Sequence, residues 1–159
     1  MNEATAVPLD ALVLGAWSRV WSPLAPKELF EESWRALDLP DDCALRDAKF
    51  CSTFHAGFPA PPVTLLLHAA LNRSSDEAHS DILRAMSHLD TTFGEHVLPP
   101  DHLAIVCEVV ACAIAKDEMV IADTIRDRYM RPWCEYAMSQ LADDDLTLRD
   151  VVESFHAMT

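Results

Sequence analysis

The chain has 159 residues, half of them apolar, with 26 acidic against 12 basic side chains and a formal net charge of −14. That size predicts one domain able to bury a core without a metal or a disulfide, and the apolar content excludes a wholly disordered chain. The negative charge makes nucleic acid and anionic membrane surfaces poor partners, whereas a cationic peptide would be attracted.

The first residues carry no Lys or Arg ahead of their apolar stretch, and Arg19 follows it, the reverse of a secretory signal. No apolar run is long enough to span a bilayer, Val109–Ala115 being typical. These features predict a cytoplasmic protein. The five cysteines, Cys43, Cys51, Cys107, Cys112 and Cys134, form no CxxC pair and read as reduced, mostly buried thiols. Only three glycines are present, Gly15, Gly57 and Gly94, too few for a phosphate-binding loop or the many turns of a β-sandwich. An all-helical bundle follows.

In chain order, Leu9, Leu12, Val13, Ala16, Trp17 and Val20 share one face of a helix over Leu9–Trp21, which Pro23 and Pro26 end. Pro26 opens Lys27–Leu37, with Phe30, Trp34 and Leu37 at helical spacing. Leu39–Pro62 reads as irregular with short helical turns, punctuated by Asp41, Asp42, Gly57, Pro59, Pro61 and Pro62. Val63–Asn72 is apolar nearly all round and reads as a buried helix. Ser74 and Ser75 open a helix to about Leu89 with Ile82, Leu83, Met86 and Leu89 as its stripe.

Pro99-Pro100-Asp101 opens the next helix, to about Ala115, with Leu103, Val106, Val110, Ala113 and Ile114 inward. Met119–Leu141 follows, with Ile121, Ile125, Tyr129 and Tyr136 inward and a kink or break at Pro132, which frees the carbonyl of Arg128. After the linker Asp143-Asp144-Asp145, Thr147–Met158 is amphipathic. The prediction is a compact single-domain bundle of about seven helices.

The seven histidines form neither HxxxH nor HExxH and the cysteines lack zinc spacing, so no metal site or cofactor is predicted, although sites assembled across helices escape this reading. No GxSxG nucleophile motif is present, and cysteines in apolar stripes have raised thiol pKa values. Glu31-Glu32 and Asp143–Asp145 read as solvated face and linker. A binding protein is therefore expected rather than an enzyme.

One segment stands apart: Glu95-His96-Val97-Leu98-Pro99-Pro100-Asp101-His102-Leu103, followed by Glu108. Two prolines preset the first turn, a carboxylate there meets free N–H groups and the macrodipole, and Asp101 and Glu108, two turns apart, project from one face. Either these form a rigid acidic ledge with His102, or Asp101 caps its helix and His102 is a satisfied surface residue.

Leu98-Pro99-Pro100-Asp101-His102-Leu103 with Glu108 resembles the E-x-P-D-H-L-x-x-E-L-E signature of the TorD/DmsD/NarJ family of molybdoenzyme chaperones, with Val106 in place of the signature's next glutamate. Tyr129-Met130-Arg131-Pro132-Trp133 is similar to that family's helix interrupted by Pro-Trp, and Pro61-Pro62-Val63-Thr64-Leu65-Leu66-Leu67-His68 to its proline-led apolar helix. The wording looks most like the branch serving type II enzymes of the dimethyl sulfoxide reductase family. The resemblance implies an all-helical chaperone that binds the catalytic subunit of a molybdenum enzyme, including a twin-arginine signal, before export. It implies partner contacts through Pro100, Asp101, His102, Glu108, Tyr129 and Trp133. Trp17, Trp21, Trp34, Trp133 and Tyr129 form a pool whose exposed members would line a peptide groove and whose other members would pack the core. A generic acidic helical adaptor for another protein is the alternative.

Overall fold

The computed structural model describes residues 6–40, 48–94 and 97–159. Cys43 and the start of the signature segment, Glu95 and His96, lie outside the described residues. The described residues are 66% helical and 1% strand, with no sheet, as an all-α bundle requires. Among the described residues, eight helices are α1 (Leu9–Trp21), α2 (Lys27–Ala36), α3 (Leu67–Ala70), α4 (Ser75–His88), α5 (Leu103–Ala115), α6 (Met119–Ile125), α7 (Arg131–Gln140) and α8 (Leu146–His156). None is long and apolar enough to cross a membrane.

Helix α5 is the axis. Leu103–Cys107, Val109, Val110, Ala113 and Ile114 are buried, and α1 packs along it as its principal neighbour. Beside α1 lies an aromatic cluster in which Trp21 touches Trp17, Phe50, Phe54, Trp133 and Phe155 at centroid separations of 5.1–5.8 Å. Offset and edge-on pairs of this kind add to the area their rings bury.

Pro132 acts as its chemistry requires. The backbone widens into a π turn over Arg126–Met130, with Arg131 N–H returning to the Arg126 carbonyl, and α7 begins at Arg131 with the proline in its first turn. A second π turn, Cys51–His55, lies within the stretch expected to hold only short helical turns.

Val63–Asn72 departs from the predicted helix. Only Leu67–Ala70 is helical, and Leu66 before it is extended. The reason is tertiary. Leu66 pairs antiparallel with His102, through Leu67 N–H to the Asp101 carbonyl (3.1 Å) and Leu103 N–H to the Leu65 carbonyl (2.9 Å). An apolar run buried on every side serves equally as strand or helix, and here main-chain partners elsewhere in the chain decide.

Helix ends are closed without glycine. Asp38, Asn72, Asp90 and Asp117 adopt φ of 50–60°, each just past a helix. At each, the next N–H returns to the carbonyl five residues earlier: Leu39 to Trp34, Arg73 to His68, Thr91 to Met86, and Glu118 to Ala113. These are Schellman closures with Asp or Asn in the left-handed position that glycine more often fills.

Candidate functional site

The signature segment does not form an exposed ledge. Asp101 precedes α5 instead of occupying its first turn, and it is completely buried. The residue that caps α5 is His102, whose Nδ1 accepts the Ala104 N–H at 3.2 Å. Asp101 caps a different helix: its Oδ2 accepts the His68 N–H of α3 at 2.9 Å, 33 residues upstream. The same oxygen lies 2.6 Å from His68 Nδ1, and Oδ1 lies 2.8 Å from His79 Nε2 on α4. One carboxylate thus ties α3, α4 and the start of α5 together. A carboxylate accepting three hydrogen bonds is the usual way a buried charge is tolerated.

Glu108 is exposed on α5 and accepts the Ser18 hydroxyl of α1 at 3.0 Å, so it shares no surface with the buried Asp101. Pro100 is half-buried in the turn, where the Pro99 carbonyl accepts the His102 N–H. Tyr129 is buried, its hydroxyl donating to Asp81 at 2.6 Å. Burial, then that hydrogen bond, raises its pKa to about 12. Trp133 is fully buried and donates Nε1–H to the Thr64 carbonyl at 2.8 Å. Trp17, Trp21 and Trp34 are buried as well. The aromatic pool is core; of its members Tyr129 alone, among the described residues, reaches the wall of a surface pocket, beside Asp81, Ile125 and Arg128.

The thiols divide. Burial lifts Cys107 well above the ordinary thiol value and Cys134 to about 12, as their apolar stripes predict. Cys51 is exposed and Cys112 is partly so, against the expectation of a mostly buried set.

Two features remain at the surface around the Leu66–His102 pairing. The first is a groove of about 480 Å³ lined by Phe54, His55, Pro61, Leu66, His102 and Tyr136 among others. Its rim is set by a tight loop. A Cβ on Gly57 would lie 2.6 Å from the Ala60 carbonyl oxygen, so only glycine lets the chain fold back there. Phe58, in that loop, is wholly exposed. The second is the set His68, His79 and Asp101, whose ligand atoms lie within 4.8 Å of one another. The sequence gives no hint of this convergence, because its members come from three separate segments.

His102 sits where the two features meet, and burial, followed by the proximity of His55, depresses its pKa to about 4. The unfolded chain takes up this proton near pH 6.5 but the folded protein only near pH 4. The resulting stabilisation is therefore complete above pH 6.5 and is lost as pH falls to about 4, amounting to about 3 kcal/mol. Protonation would also remove the acceptor that caps α5. His102→Asn keeps a capping oxygen without the titration, so its denaturant midpoint should fall less between pH 6.5 and 4 than that of the native protein. Parallel curves would refute a neutral His102 cap.

Compared with family models, with characterised proteins and with solved structures, the chain matches none.

Proposed function

We propose that the protein is a cytoplasmic chaperone that binds the catalytic subunit of a molybdenum-containing oxidoreductase, through a cationic and apolar segment such as a twin-arginine signal peptide. The observation that carries the reading is the groove beside the Leu-Pro-Pro-Asp-His-Leu turn: His102 of that turn, with Pro61, Thr64, Leu65 and Leu66 of the proline-led apolar stretch, lines a largely apolar cleft. In this reading Asp101 does not touch the partner. It fixes the His68 end of α3 and the start of α5, so that Leu66, Ala69 and His102 face the cleft as one unit.

Charge favours the same ligand. Among the few cations, Lys27 and Arg35 face Glu31, Lys49 faces Asp145, Arg128 faces Glu77 and Asp81, Arg131 faces Asp127, and Arg149 faces Asp143. Such surface pairs contribute little stability. They do occupy the cations and leave the surplus carboxylates to attract a basic segment, while the groove accepts its apolar part.

A synthetic twin-arginine peptide titrated at two ionic strengths should bind more weakly at high salt, because exposed charges are screened beyond about 8 Å at physiological ionic strength. An apolar component should survive. Ala69→Tyr, at an exposed position on the groove wall, should fill the cleft and weaken binding more than about tenfold, or about 1.4 kcal/mol, with the melting temperature preserved. Equal affinity for the Ala69→Tyr protein would remove the groove from the reading, and no binding of any molybdoenzyme segment would remove the chaperone reading itself.

A further inference from the structure

We propose that His68, His79 and Asp101 form a binding site for a first-row divalent cation, zinc being the natural probe. His68 Nδ1, His79 Nε2 and an Asp101 carboxylate oxygen are the donor set. Two imidazoles and a carboxylate converging from separate segments suit zinc or a neighbouring transition ion, and they leave further coordination positions for water or an incoming group.

Three observations support a site beyond a chance cluster. The carboxylate is fully buried, and its orientation is fixed by the His68 backbone N–H at 2.9 Å, the kind of outer contact that holds a metal-ligating carboxylate in place. The backbone beneath it is clamped by the Leu66–His102 pairing, so the donors stand on a preorganised base. Both rings, in contrast, are partly open, with side-chain exposures of 26% for His68 and 32% for His79. The open sides of the rings give an approach to the site from solvent while the anionic ligand stays dry.

The geometry needs little change. Each ring nitrogen now lies 2.6–2.8 Å from the carboxylate, as hydrogen-bonded partners do. Ligands about 2.0–2.1 Å from a tetrahedral zinc stand about 3.3 Å apart, so each ring nitrogen would part from its carboxylate oxygen by less than about 1 Å, while the three donors, now within 4.8 Å of one another, close on the ion. The proton balance closes within the site. In a neutral ring, the proton facing Asp101 shifts to the far nitrogen, the freed lone pair binds the ion, and no bond other than N–H is broken. The cation also supplies the positive charge that the buried carboxylate otherwise meets only through hydrogen bonds.

This site shares no donor with the peptide groove, so it stands or falls separately from the proposed function. Zinc added to the metal-free full-length protein should bind saturably at one ion per chain and raise the melting temperature. Cobalt in its place should give a weak visible band without the intense near-ultraviolet absorption of cobalt thiolates. His79→Gln and His68→Gln should each weaken zinc binding more than about tenfold, since losing a ligand costs at least as much as losing an outer-shell partner, about 10–100-fold. The stabilisation by zinc should disappear with it, and circular dichroism on each variant confirms that the helices persist. The cobalt spectrum of the native protein needs no variant, so an unfolded substitution does not spare the proposal. Absence of saturable binding, undiminished affinity in both histidine variants, or a thiolate band that places the ion on cysteine would each overturn it.

Discussion

Asp101→Ala should lower the unfolding free energy by about 2–4 kcal/mol, because a charge-assisted hydrogen bond worth about 1.5–3 kcal/mol, two weaker ones and a filled space are lost together. The carboxylate is fully buried and accepts from the His68 backbone, the His68 ring and the His79 ring, so its removal takes the acceptor from the His68 N–H, leaves the two partly open rings to water and empties a space. Against a typical total of about 5–15 kcal/mol, that is a large share. A carboxylate that only decorated a helix terminus would contribute about 0.3–1 kcal/mol, and the contrast makes chemical denaturation decisive. Asp101→Asn should fall between the two, because one of its atoms becomes a donor pointed at another donor. A midpoint shift no larger than that of a surface cap would show that the knot at Asp101 is not formed.

Trp133→Ala should be comparably severe, about 3–5 kcal/mol, through the cavity left by a large buried ring. Its neighbours Trp21, Phe155 and Phe54 lie at 5.1, 5.9 and 6.4 Å between centroids. The Thr64 carbonyl would lose its Nε1–H donor as well. Trp133→Phe, which keeps most of the ring but not the donor, should cost distinctly less. If Trp133 were instead a partner contact, the alanine variant would melt normally and fail only in peptide binding. Thermal unfolding of both variants separates these outcomes.

Elements with a one-sided pattern and a local stop were legible in the sequence. Helix α1 ends at Trp21 as Pro23 demands, and α4 and α8 keep their predicted bounds to within a residue or two, although Leu9 and Leu12 of the α1 face and Leu83 of the α4 stripe are exposed. The break at Pro132 was equally predictable, since a missing N–H has one local consequence; that it takes the form of a π turn is set by packing. What failed was every reading that needed a partner far along the chain. Val63–Asn72 carries a proline start and uniform apolarity, signals shared by strand and helix, and only the His102 backbone resolves them. Asp101 was misplaced for the same reason. Two prolines and an acid look like a helix start, but the backbone N–H that Asp101 serves belongs to α3. The His68–His79–Asp101 convergence is invisible at any sequence spacing, whereas the apolar character of Cys107 and Cys134 was plain from their neighbours.

The four left-handed closures bind turn-making to colloidal behaviour. Three of them are aspartates, Asp38, Asp90 and Asp117, each set against the negative end of the helix it terminates. Glycine would relax the backbone at these corners and lift the unfavourable dipole contact, yet every such exchange would also delete one charge from the rim of the bundle. The residues that let the chain reverse direction are among those that keep copies of it apart. At these three corners, relieving the backbone with glycine would therefore also weaken the repulsion between molecules, whereas asparagine, as at Asn72, would hold the turn without the charge.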